Sequence, residues 1–187
     1  ASMDRFVDFY KGCIIAADSL ASLGFNIDLY SFDIGKTHSQ ITSVLNNPML
    51  KQMDLIIGPA YQSQVAYVSK FAAENPYVEL DKIKFLFNLD MCGTGATGVA
   101  VINGLKEPKA GKLLQKINEE YQWFIKVFLG EESCNSDHCH FVQRGVPAHF
   151  LFTYGCEYNE YHTIYDNGVN LPFTKHIDFC NLLKEFV

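Results

Sequence analysis

DKIKFLFNLD, residues 81–90, is the stretch that decides the fold. Residues 83–88 form a mostly apolar run, long enough for a central strand. A glycine-rich turn follows at Gly93, Gly95 and Gly98. A second short strand is expected over residues 99–102. Asp90 therefore stands where a strand ends, the usual place for a site in an open α/β sheet.

The same alternation runs outward in both directions. Phe6, Phe9, Tyr10, Cys13, Ala17, Leu20 and Ala21 recur at helical spacing, and Gly24 is placed to end that helix. Residues 27–32 and 54–59 read as strands, the second buried. Ile41, Val44 and Leu45 mark a short helix that stops near Pro48. Val65, Val68, Phe71 and Ala72 mark another, closed before Pro76. Downstream, Leu113, Leu114 and Ile117 share one helical face. Trp123, Ile125 and Val127 alternate as in a strand, and residues 148–153 form a further one. Pro172 and Thr174 open a last helix carrying Ile177, Cys180, Leu183 and Val187. Helices alternating with strands predict an α/β fold: a three-layer α/β/α sandwich with a mostly parallel sheet. The unbroken alternation predicts one sheet and one core shared by the whole chain.

A chain of 187 residues, 48% hydrophobic and 19% charged, can bury a sizeable core as one domain. A net charge of -6 argues against nucleic acid as a partner, because phosphate binding needs a basic face. No apolar run reaches the roughly 18 residues of a membrane span. No signal peptide is visible, and oligomeric state is not readable.

Six cysteines, at 13, 92, 134, 139, 156 and 180, include no C-x-x-C pair, so a zinc knuckle is not expected. Cys134 and Cys139 are close enough for a small disulfide loop, and free thiols are the other reading. GTGATG at residues 93–98 has a G-x-G-x-x-G spacing, but no helix start and no ribose-binding acid follow it. Glu131 and Glu132 read as a solvated turn. His138 and His140 form an H-x-H pair, and Asp33 and His38 lie near a predicted strand end. Neither pair is read as a designed metal site.

NLDM at residues 88–91, SCNSDHC at 133–139, GVPA at 145–148, and YHT at 161–163 with Asp166 occur in this order. With residue 74 onward, they resemble the C-terminal half of the bacterial zinc aminopeptidases, whose fold also houses glutaminyl cyclases. The resemblance implies that Asp90 and His162 are zinc ligands. It implies that Asp137 and Asp166 stand behind them, holding hydrogen bonds around the site. It also favours the Cys134–Cys139 disulfide. His140 departs from the family, which usually has proline there. In that family the remaining ligands and the catalytic glutamate come from an N-terminal half with no counterpart here, so no catalytic residue is assigned.

RFVDFYKGCIIAAD at residues 5–18, the segment into Asp33, and DLIIGP at 54–59 with Ser63 resemble the type I periplasmic ligand-binding proteins instead. The boundary falls at residues 73/74. Three functions follow as expectations. The first is an aminopeptidase-derived hybrid without peptidase chemistry. The second is a working zinc exopeptidase acting on small peptides, with ligands from the first part. The third is a small-molecule-binding module. Both parent families imply a periplasmic, envelope or secreted location.

Overall fold

The computed structural model describes residues 3–59, 62–161, 163–165 and 171–187. The chain divides into two compact units, residues 1–68 and 69–187.

The first unit contains α1 (Met3–Ser22), α2 (His38–Leu45) and the start of α3 (Gln62–Glu74). Helix α1 ends as its sequence predicts. Gly24 sits at φ +91, its N–H bonds to the Ala21 carbonyl, and the Phe25 N–H bonds to the Leu20 carbonyl. That pair of bonds satisfies carbonyls left open at a helix end, and glycine adopts the left-handed turn at no steric cost. Thr37 caps α2, with Gln40 bonding back to the cap.

The strands expected at 27–32 and 54–59 are not formed. Ile27, Leu29, Leu55, Ile56 and Ile57 are exposed instead. Both runs have the β-branched and apolar content of strands. A strand exists only through a ladder, however, and neither run pairs with another described segment.

The second unit holds the sheet. Its strands are β1 (Leu86–Leu89), β2 (Gly98–Ile102), β3 (Val127–Leu129) and β4 (Ala148–Tyr154), in the order β1-β4-β2-β3. β1 runs parallel to β4 and β2 parallel to β3, while β2 and β4 are antiparallel. The sheet is thus mostly parallel and flanked by helices, the α/β sandwich expected. Two readings need correction. Every described strand lies between residues 86 and 154, so no single sheet spans the chain. The apolar run at 83–88 leads into an edge strand rather than a central one, because among the described residues β1 pairs only with β4.

One face of the sheet packs against α4 (Pro108–Tyr121) and α6 (His176–Phe186). Val99, Val101, Val127 and Leu151 meet Leu114, Ile117, Phe124, Phe179 and Leu182 in a single buried cluster. Each such side chain contributes roughly 1.5–3 kcal/mol on burial. β3 begins later than expected, since Phe124 takes the core position and Ile125 is exposed. Asn118 explains the shift: its amide bonds both the N–H and the carbonyl of Phe124, fixing that residue inward. α6 starts at His176, not at Pro172.

Asn103 ties the ends of three segments together. It is fully buried at φ +65, donates to the Ala148 carbonyl and accepts from the Ser133 N–H. Over the other sheet face runs residues 133–146, with the short helix α5 (Cys139–Val142). Among the described residues, no helix is long and apolar enough to cross a membrane.

Candidate functional site

Asp90 is the first residue beyond β1. Its N–H bonds to the Leu151 carbonyl, which continues the β1–β4 ladder by one step and fixes where its exposed carboxylate starts. Met91 then turns the chain with φ +51, and its carbonyl accepts from both the N–H and the Oγ1 of Thr153. The Cys92 thiol points back to the Asp90 carbonyl at 3.2 Å, and burial with the nearby Asp90 charge pushes its pKa up to about 12.

The loop above this strand is held by hydrogen bonds that sequence reasoning did not foresee. Asn88 Nδ2 donates to Ser136 Oγ at 2.7 Å, and Ser69 Oγ donates to the Asp137 carbonyl at 3.0 Å. A polar residue inside an otherwise apolar strand was the available signal for Asn88. Cys134 and Cys139 are joined in a disulfide that closes the loop. His138 is fully buried, stacks on Phe150 and places Nε2 2.8 Å from the Ser133 carbonyl. Its Nδ1 is buried with no partner, and burial lowers its pKa. This histidine is a neutral brace for the loop, so the H-x-H pair is not presented to solvent as a chelate.

Asp137 and Asp90 are brought within electrostatic reach of each other. Burial raises the Asp137 pKa, and the Asp90 charge raises it further against the opposing pull of His140 and His138. A carboxylate made uncomfortable in this way gains from a neighbouring cation. Oxygen donors of this kind fit a divalent metal, and zinc accepts both carboxylate and imidazole. His162 and Asp166, the other two residues implied, lie outside the described residues. Among the described residues, no group of three or more His, Cys, Asp and Glu side chains converges.

Two other motifs are given structural employment. The N–H groups of Gly95 and Ala96 donate to Glu157 Oε1 at 3.1 and 2.7 Å, joined by Thr174 Oγ1. Burial pushes the Glu157 carboxyl up, but these hydrogen bonds outweigh it and hold its pKa below the ordinary value. The glycine turn therefore already carries an anion of its own chain, and its donors are not free for a phosphate. Glu132 pairs with Lys106 in an exposed ion pair, as a solvated turn would.

Comparison with known proteins places this fold. The model of "Peptidase family M28" matches residues 64–186. No curated protein matches the chain. Three solved structures share the fold. A leucine aminopeptidase precursor from Bacteroides thetaiotaomicron is 18% identical at a TM-score of 0.55, over 72% of this chain and 47% of that one. An aminopeptidase from Aneurinibacillus sp. strain AM-1 is 23% identical at 0.52, over 67% and 30%. A glutaminyl cyclase from an Acidobacteriales bacterium is 18% identical at 0.51, over 71% and 47%. The chain thus spans less than half the length of each. With the family model covering about two thirds of the sequence, including Asp90, the SCNSDHC loop and the YHT motif, the chain belongs to peptidase family M28.

Proposed function

We propose that residues 69–187 carry the C-terminal share of a zinc exopeptidase site, and that these 187 residues alone do not hydrolyse aminoacyl substrates at an appreciable rate. The observation that carries this reading is the acidic edge at the end of β1. Asp90 lies there within electrostatic reach of Asp137, whose carboxyl is raised first by burial and further by the Asp90 charge. Asp90 and His162 would hold the metal, and Asp137 and Asp166 would support them. Bound zinc supplies Lewis acidity and a water made acidic enough to attack a carbonyl. The chain's own share is to bind and orient the metal. A hydrolase also needs a positioned carboxylate to take the proton from that water. Asp137 is a described carboxylate that feels the Asp90 charge, and its loop is anchored by Asn88 to Ser136 and by Ser69 to the Asp137 carbonyl.

Residues 5–59 lie outside the family match and keep their resemblance to periplasmic ligand-binding proteins. That resemblance supports a hybrid origin and an envelope or secreted location. Small peptides are the substrate class for the complete site.

Equilibrium dialysis with zinc, run beside a chromogenic aminoacyl assay, tests the proposal. Expected are weak binding that falls about tenfold or more in Asp90→Ala and in His162→Ala, and no metal-dependent turnover. Turnover that disappears in both variants sinks the inactive reading and promotes a working exopeptidase. Binding unchanged in both sinks the site itself.

A further inference from the structure

We propose that His176 and Cys180 form an accessory chelate for zinc on the exposed face of α6. The two residues are four apart on one helix, the spacing that makes side chains neighbours. Both are exposed. His176 Nε2 lies 3.8 Å from Cys180 Sγ. Zinc bonds sulfur at about 2.3 Å and imidazole nitrogen at about 2.0–2.1 Å. Bonds of those lengths at a tetrahedral angle hold the two donor atoms roughly 3.6 Å apart. The gap already present is therefore close to the span one metal ion bridges, and little side-chain rearrangement is needed.

The helix beneath is rigid at this point. Phe179 and Leu182 are fully buried in the core cluster, so the turn carrying the two donors is fixed from below. The ring of Phe173 packs edge-on against His176 at 5.7 Å between centroids, which restricts the imidazole from the side. Thiolate with imidazole is a soft donor pair that selects zinc or monovalent copper and leaves magnesium and calcium to oxygen sites. No group of three or more such residues converges among the described residues, so two donors come from the protein and the other positions from solvent or an exogenous ligand. On binding, the Cys180 thiol loses its proton to the buffer and the neutral His176 ring donates a lone pair, so affinity rises with pH.

The test uses the full chain without thiol reductant, with cobalt(II) as a coloured stand-in for zinc. The expected result is a sulfur-to-cobalt charge-transfer band that saturates at one metal per chain and is displaced by zinc but not by magnesium. The band vanishes in Cys180→Ser. Affinity falls about tenfold or more in His176→Ala. Both properties persist in Asp90→Asn and in Cys156→Ser, which separates this site from the β1 edge and from the other exposed thiol. Alkylation of Cys180, followed by mass spectrometry, is slowed by one equivalent of zinc in the parent chain and not in His176→Ala. A band retained in Cys180→Ser overturns the proposal. So does equal affinity in His176→Ala, which would mean an adventitious ion on a lone thiol. Both residues are exposed, so the substitutions leave the fold intact and read the metal site alone.

Discussion

His149 sits on β4 with no exposure, and neither ring nitrogen has a hydrogen-bond partner. Phe85 and Phe87 flank it. Burial lowers its pKa to about 4, and the backbone groups of Glu107 and Asn103 oppose that fall without reaching hydrogen-bonding geometry. A histidine depressed in the folded state binds its proton more readily when unfolded. Its neutral form is accommodated fully above pH 6.5, and stability drains away as the pH falls from 6.5 towards 4. The displacement corresponds to about 3 kcal/mol. We expect urea midpoints to drop steeply across that interval, and His149→Phe to flatten the slope. An unchanged slope in the variant would remove His149 as the cause. None of this was legible beforehand, because a histidine within an apolar strand looks the same in sequence whether or not its nitrogens find partners. The place of Asp90 at the end of β1 was legible, since the end of an apolar run is a place the sequence marks openly.

Among the elements, β2 depends most on one residue. Gly98 opens it at φ +145, and a Cβ there would lie 2.2 Å from the Lys126 carbonyl oxygen. That carbonyl accepts the Val99 N–H at the start of the β2–β3 pairing. Backbone cannot move aside as a flexible side chain can, so Gly98→Ala combines a disallowed conformation with a clash. The expected cost is about 3 kcal/mol, read as a lower denaturation midpoint. Gly12→Ala, where a Cβ meets nothing within 4 Å, is the control and should leave the midpoint unchanged or raise it slightly. The glycine turn itself was visible in the sequence. Its tenant was not, because Glu157 lies about sixty residues away and reaches the turn only through the fold.

For the whole molecule, the sequence pattern told the periodic helices and the existence of the second unit's strands, missed the edge position of β1 and the start of β3, and failed for the strands expected in the first unit. α2, α3 and α4 follow their apolar spacing because a helix makes its hydrogen bonds within itself. The runs at 27–32 and 54–59 carry equally strong strand chemistry, but a strand borrows its hydrogen bonds from elsewhere, and no local pattern reports whether a lender exists. The edge position of β1 was hidden for the same reason. Since the described sheet and its core cluster both lie in the second unit, residues 64–187 expressed alone should unfold cooperatively, with a urea midpoint close to that of the full chain. A broad, non-cooperative transition would show that the first unit is required for folding. The full chain should also bind the dye ANS more strongly than the fragment, given the exposed Phe9, Ile15, Leu23, Phe25 and Leu55.

Asn103 precedes Gly104, the dipeptide most prone to spontaneous deamidation when the chain is free. Here the side-chain amide is clamped between the Ala148 carbonyl and the Ser133 N–H. It cannot fold back onto the following nitrogen to form the succinimide. Ageing at this bond then proceeds only while the clamp is open, so the slow accumulation of isoaspartate and aspartate at position 103, with release of ammonia, is a chemical clock that counts the time the second unit spends unlatched.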